Sequence, residues 1–270
     1  MIKLIATDMD GTLLNNQKEL TNDMLALMKD LQKQGVQWVI ASGRQYYNMI
    51  SYFEDMKDQI IFVSENGTYI VQGEKELCVH DLKKEDVYNF VQICEGIEGA
   101  YPVVCGKKSA YILHDDPVFI NEVQKYYHKC ERLNCIEDIK KLDDQILKVA
   151  IFCTKGTEEL VYPHYKDYVN DYMVSVSAFV WLDIMQKGIH KGAAIQFLQK
   201  ELSITYDETM LFGDYMNDYE MMQCGYYSYA MKNAHPDLKK VCRFETAFTN
   251  DEDGVKKEIE KYLLSSKAEK

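Results

Sequence analysis

Residues 1–14, MIKLIATDMDGTLL, decide how the rest of the chain reads. Residues 2–7 are a short apolar run rich in β-branched side chains, long enough for one buried strand. The run stops at Asp8, a second carboxylate follows at Asp10, and Gly11-Thr12 turns the chain before Leu13-Leu14 resume the apolar pattern. A strand ending in two acids puts charge at the carboxyl edge of a sheet, where open α/β sheets bind their ligands. Successive strand residues face opposite sides, so acids one residue apart can project the same way. Two close carboxylates repel, a divalent cation relieves the repulsion, and hard oxygen ligands suit Mg²⁺. The same residues also suit a plain strand end followed by an acidic N-cap.

Downstream, Thr21 can cap a helix that carries Met24, Leu25, Met28 and Leu31 on one face, with Gly35 closing it in a left-handed conformation. Residues 36–41 (VQWVIA) are the next buried strand. Strand, helix and strand with tight joints make a βαβ unit, hence parallel pairing with a right-handed crossover. Ser42-Gly43-Arg44 then share an edge with Asp8 and Asp10. A helix over 46–53, a strand over 60–64, the turn Glu65-Asn66-Gly67 and a hairpin over 68–79 follow. The fold class is α/β, a doubly wound and mostly parallel sheet with an antiparallel embellishment.

Between residues 82 and 186 the pattern changes. Paired short strands (101–104, 110–113, 146–153, 173–177, 179–185) and helices over 87–94, 119–127 and 160–169 predict an α+β layer with its helices on one side. Pro163 implies that the last of these begins late or kinks. Alternation then returns: a helix over 191–202, a strand over 209–212, a helix over 219–223, a strand over 226–230, and a terminal helix over 255–263 with a frayed tail at 265–270. The organisation is a discontinuous α/β domain, 1–81 and 187–270, with 82–186 inserted.

Composition narrows the function. Asp and Glu number 43 against 31 Lys and Arg, a net charge of -12, and no basic stripe is present, which argues against nucleic-acid binding. The hydrophobic fraction of 47% supports a full core without any run of membrane-spanning length. The eight cysteines form no C-x-x-C pair and several sit in apolar runs, as reduced thiols do, and the six histidines lack zinc spacing. With no signal peptide, a soluble cytoplasmic protein is expected.

Three more polar knots stand at strand ends or helix starts. Ser42-Gly43 offer a hydroxyl and backbone N–H groups to a phosphoryl oxygen, or a common turn. Lys191 opens a helix, where the dipole disfavours a cation, so it has another role there or a surface salt bridge. Gly213-Asp214-Tyr215-Met216-Asn217-Asp218 hold more acid than an N-cap needs. In order, DMDGTLL, ASGR, HKG and GDYMND resemble the four motifs of the haloacid dehalogenase-like (HAD) phosphatase superfamily. The insertion between the second and third motifs, the turn Glu65-Asn66-Gly67 and the loop Met231-Lys232-Asn233-Ala234 resemble its Cof-type IIB subfamily.

That resemblance implies Mg²⁺-dependent hydrolysis of phosphate monoesters of small metabolites, sugar phosphates foremost, with the insertion as a cap that sets specificity. It makes Asp8 the nucleophile that forms an aspartyl-phosphate, and Asp10 the acid and base. Mg²⁺ falls to Asp8, the main-chain carbonyl of Asp10, Asp214 and Asp218, the last from behind. Phosphoryl oxygens fall to the N–H of Met9, Ser42, Gly43, Lys191 and Asn217. Arg44 and Asn66 are assigned to substrate, although Arg44 equally suits a surface acid. Tyr215 and Lys232 depart from the small residues common at these positions. Alternatives are a phosphohexomutase-like phosphoryl transfer and a non-catalytic phosphate-binding protein. The implied partner is a small phosphorylated metabolite, with neither nucleic acid nor membrane, and the implied state a monomer or weak homodimer.

Overall fold

The computed structural model describes the backbone of residues 1–268 and the side chains of residues 1–264. In chain order the regular elements begin with β1 (Leu4–Thr7), α1 (Asn22–Lys33), β2 (Gln37–Ala41), α2 (Tyr46–Ile50), β3 (Ile61–Ser64), β4 (Tyr69–Gln72) and β5 (Lys75–Val79). Next come α3 (Lys84–Glu95), β6 (Ala100–Gly106), β7 (Ala110–Ile112), α4 (Pro117–Tyr126), β8 (Cys130–Arg132), β9 (Ile146–Cys153), α5 (Thr157–Leu160), α6 (Tyr162–Tyr165), β10 (Tyr172–Ala178) and β11 (Trp181–Gln186). The chain ends with α7 (Lys191–Leu202), β12 (Thr209–Gly213), β13 (Tyr227–Ala230), α8 (Pro236–Lys239), β14 (Phe244–Glu245) and α9 (Gly254–Ala268). Among the described residues no helix is long and apolar enough to cross a membrane. All eight cysteines are free thiols.

Two compact units result. The first comprises Met1–Ser42, Tyr52–Glu76 and His190–Lys270; the second comprises Gly43–Ser51 and Leu77–Ile189. The chain therefore passes between units at 42/43, 51/52, 76/77 and 189/190.

The first unit is built on the sheet β14-β13-β12-β1-β2-β3-β4-β5. Pairing is parallel from β14 to β3 and antiparallel from β3 to β4. Its strands read as continuous apolar runs because helices cover both faces of such a sheet. Leu4, Trp38, Ile40, Phe62 and Phe212 are all fully buried. Helix α1 starts where Thr21 Oγ1 accepts from the N–H of Met24, and it buries Met24, Met28 and Leu31. It stops where Gly35 takes φ +89°, and the N–H of Val36 donates back to Leu31.

The second unit is a six-stranded sheet, β10-β11-β9-β6-β7-β8, antiparallel except for β7 and β8, which α4 connects as a parallel crossover. Its helices do not lie on one side, as the strand pattern suggested. Helix α3 packs Val87, Phe90, Val91 and Cys94 with Val104, Val149 and Ile151. Helix α4 packs Phe119 and Val123 with the alternate residues Val103, Ala150 and Phe152. Alternation along β6 and β9 sends those two sets to opposite faces, so the sheet is covered on both.

Other local departures have simple causes. The helix expected over 160–169 is α5, α6 and a 3-10 turn at Lys166–Tyr168, broken at Val161. Pro163 lacks the N–H and crowds the carbonyl four residues back. The helix expected over 219–223 is a pair of 3-10 turns, Met216–Asp218 and Met221–Gln223. There the Asp218 carboxylate takes the N–H groups of Asp214 and Tyr215, which holds the chain in a tight turn. Helix α2 stops at Ile50, short of residue 53, where Ser51 Oγ donates to the Asn48 carbonyl. Helix α9 runs to Ala268, into the stretch expected to fray from residue 265, and residues 269–270 lie outside the described residues.

Candidate active site

Strand β1 lies between β2 and β12 in register, with Thr7 level with both Ile40 and Phe212. The chain winds from β1 through β2 to β3 on one side and returns to the other side with β12. The carboxyl end of β1 is therefore the switch point of an open sheet, where a crevice forms. Asp8 follows β1, Ser42 follows β2 and Asp214 follows β12, so all three leave the sheet at that edge.

Asp8 and Lys191 meet there out of water. Lys191 Nζ lies 2.6 Å from Asp8 Oδ1 and 2.7 Å from Asp218 Oδ1, and the lysine is wholly buried. Asp8, Asp214 and Asp218 each bring one carboxylate oxygen within 4.8 Å of the others. Burial pushes the Asp8 carboxyl well above the usual range, although Lys191 pulls against it. Burial first and the charge of Asp218 second push Asp214 up to about 7. For Lys191 burial acts downward, yet Asp218 and Asp8 outweigh it and its pKa is raised. Three carboxylates against one ammonium leave two negative charges when all are ionised, the charge that a divalent cation balances. Oxygen donors alone fit Mg²⁺ rather than a softer metal.

Backbone details make this packing possible. Helix α7 begins at Lys191 with His190 as its cap, and His190 Nδ1 accepts from the N–H of Ala193. Gly192 lets α7 approach the chain at Glu220, since a Cβ there would stand 2.6 Å from the Glu220 carbonyl carbon. Gly11, at φ +78°, leaves the space that Asp214 fills; a Cβ would stand 2.3 Å from Asp214 Oδ2. Thr12 Oγ1 donates to Asp214 Oδ1 at 3.0 Å.

The structure brings Asp8, Lys191, Asp214 and Asp218 together. Asn217 and Asn66 face each other, with Nδ2 of Asn217 donating to Oδ1 of Asn66 at 3.3 Å. The Asn66 N–H donates to the Ser42 carbonyl at 3.0 Å, which ties the turn to the end of β2. Met9 is buried, and its carbonyl accepts from the N–H of Leu14. The carboxylate of Asp10 lies outside the acidic cluster and pairs with Lys18. Gly43 and Arg44 belong to the second unit, where Arg44 donates to Asn48 Oδ1 and the Gly43 carbonyl accepts from Lys148 Nζ.

Sequence reasoning assigned no role to Thr12, Lys18 or Asn250. Asn233 donates to the Gly11 carbonyl and its Oδ1 accepts from the Asn250 N–H, while Asn250 Nδ2 donates to the Leu14 carbonyl. The two asparagines thus clamp the turn that follows Asp8. Asn233 stands in a recognisable loop motif, whereas nothing around Asn250 in the sequence signals its part.

The family model for haloacid dehalogenase-like hydrolases matches residues 5–259. The chain belongs to that family, in its Cof-type branch, and is a phosphatase of it. It is 33% identical over 265 residues to the 5-amino-6-(5-phospho-D-ribitylamino)uracil phosphatase YbjI of Escherichia coli, covering 97% of this chain and 96% of that one. The phosphatase YwpJ of Bacillus subtilis is 27% identical, with 94% and 97% covered. Among solved structures, SMU.1108c of Streptococcus mutans superposes with a TM-score of 0.87 at 30% identity, covering 98% of this chain and all of that one. A HAD subclass IIB sugar phosphatase, BT4131, shares the fold with a TM-score of 0.82 at 21% identity, over 96% of this chain and 98% of its own.

Proposed function

We propose that the chain hydrolyses phosphate monoesters of small metabolites, sugar and polyol phosphates foremost, through a phosphorylated Asp8. The observation that carries this is the buried Lys191, which bridges Asp8 and Asp218 at the carboxyl end of β1. In this reading an Asp8 carboxylate oxygen attacks phosphorus while the ester oxygen leaves with a proton from Asp10. Asp10 then takes a proton from the water that attacks the acyl phosphate, which frees Asp8 and inorganic phosphate. Lys191 supplies positive charge to the transferring group, with the Ser42 hydroxyl, the Met9 and Gly43 N–H groups and Asn217 as further donors. Asp8, the carbonyl of Asp10, Asp214 and Asp218 would hold Mg²⁺. Bound there, the cation offsets the negative charge of the carboxylates and the phosphoryl oxygens.

The second unit is read as the cap that selects the ester, and Arg44 and Asn66 are assigned to substrate binding. The E. coli relative, named for a ribityl phosphate, supports a polyhydroxy leaving group for this chain as well. Reduced cysteines throughout suit the cytoplasm. Two experiments test the reading. A screen of sugar, polyol, nucleotide and cofactor phosphates compares kcat/KM across classes. Rapid acid quench with labelled aryl phosphate should trap label on Asp8 in the wild type and none in Asp8→Asn. Label on any other residue would refute the assignment.

A further inference from the structure

The carboxylate of Asp10 is met by Lys18, whose Nζ lies 2.7 Å from Asp10 Oδ1. With side chains 34% and 52% exposed, such a pair is screened by water and contributes little stability. Stability therefore does not explain the effort spent on placing it. Lys18 sits at φ +63°, a left-handed conformation that bulky side chains seldom adopt. Its turn closes through the Lys18 N–H to the Asn15 carbonyl at 2.9 Å, the Asn15 N–H to the Glu19 carbonyl at 3.1 Å, and the Glu19 N–H to Asn15 Oδ1 at 2.8 Å. The turn is anchored in its own right. The Asn16 N–H donates to Asp251 Oδ1 at 2.7 Å, and the buried Asn250 reaches both the Leu14 carbonyl and Asn16 Oδ1. A strained turn held from two sides and ending in an ammonium on one carboxylate oxygen is an orienting device.

We propose that Lys18 is a positioning residue for Asp10. It holds the carboxylate in the orientation from which Asp10 hands a proton to the leaving group and takes one from water. The proposal rests on Asp10 acting as the acid and base. No bond to Lys18 forms or breaks, and the ammonium keeps its protons throughout.

Leaving groups separate this role from a structural one. An alkoxide must be protonated as it departs, whereas dinitrophenolate leaves without help. Lys18→Gly removes the ammonium yet suits the left-handed turn, because glycine adopts positive φ without steric cost. For Lys18→Gly, kcat/KM for glycerol phosphate should fall about tenfold or more, a fraction of the 10²–10⁴ that an acid contributes, and that for 2,4-dinitrophenyl phosphate less than about twofold. Lys18→Arg should restore the first value to within about threefold of the wild type, and Asp10→Asn should abolish the additional effect of Lys18→Gly. Equal losses for both esters, or no loss for either, would overturn the role of Lys18 while leaving Asp8 chemistry intact. A wild-type enzyme that turns over neither ester would instead overturn the phosphatase reading beneath it.

Discussion

Lys191 and Asp8 form a buried ion pair at 2.6 Å, and the same ammonium reaches Asp218 at 2.7 Å on its other side. Its position at the first residue of α7 sets it against the helix dipole, so the carboxylates hold it there. Lys191→Met removes the cation that pairs with both Asp8 and Asp218. We expect a loss of about 3–5 kcal/mol in urea unfolding with chelator present, since Asp8 and Asp218 lose their shared buried counter-ion. Turnover of an aryl phosphate should drop by at least about 10²-fold. A variant that unfolds within about 1 kcal/mol of the wild type would contradict the role given to burial.

In the proposed reading, protons and Mg²⁺ compete for the same three carboxylates, Asp8, Asp214 and Asp218. Asp214 is pushed up to about 7 from an ordinary value of 3.8, and Asp8 moves in the same direction, in both cases chiefly through burial. Between those two values folded Asp214 retains a proton that the unfolded chain releases. Its contribution to stability is thus full below about pH 4 and is lost as pH rises through about 7. In chelator the melting temperature of the wild type should fall between pH 5 and 8 more than that of Asp214→Asn. Millimolar Mg²⁺ should raise it, and by more at pH 8 than at pH 5, because binding needs ionised ligands. An equal rise at both values would sink the prediction.

Two glycines with similar backbone angles should behave differently. Gly11 and Gly35 both have positive φ, +78° and +89°, but a Cβ at Gly35 meets nothing within 4 Å. Each alanine variant should lose about 1–2 kcal/mol from the left-handed backbone alone. Only Gly11→Ala should also displace Asp214 and weaken the thermal shift produced by Mg²⁺. A normal Mg²⁺ shift in Gly11→Ala would show that the Asp214 carboxylate does not need that space.

Much of this was legible in the chain because strand ends and helix starts carry local signals. Asp8, Ser42, Lys191 and Asp214 each stand at such a boundary, and α7 begins and ends where the pattern placed it. The face covered by α4 was not legible, because β6 and β9 are apolar at nearly every position and so give no alternation to assign. Strand β8 was missed for the opposite reason: its three residues, CER, are all exposed and carry no pattern. The 3-10 turns after β12 depend on one carboxylate taking two neighbouring N–H groups, a competition that helix periodicity does not register. Lys18 and Asn250 act across folds of the chain, Asn250 from 236 positions away, and no local motif announces that.

Lys148 on β9 and Asp183 on β11 form a buried ion pair in the second unit, with side chains only 4% and 6% exposed and 3.5 Å between Nζ and Oδ1. It stands on the α4 face of its sheet, by alternation with Ala150 and Trp181. Lys148 Nζ also lies 3.4 Å from the Gly43 carbonyl, in the short segment that follows Ser42. Lys148→Met alone leaves Asp183 charged in an apolar setting and should destabilise by about 3–5 kcal/mol. Lys148→Met combined with Asp183→Leu should recover most of that loss, because a well-packed apolar pair commonly matches a buried ionic one. The double variant nevertheless leaves the Gly43 carbonyl without that donor. On the proposed role of Gly43 as a donor to the phosphoryl group, the variant's KM for phosphate esters should therefore rise and kcat/KM should fall. Urea unfolding of the four members of the cycle, with kinetics on the wild type and the double variant, settles both points. Coupling below about 1 kcal/mol would show that the two charges are solvated independently, and an unchanged KM would separate the pair from Gly43.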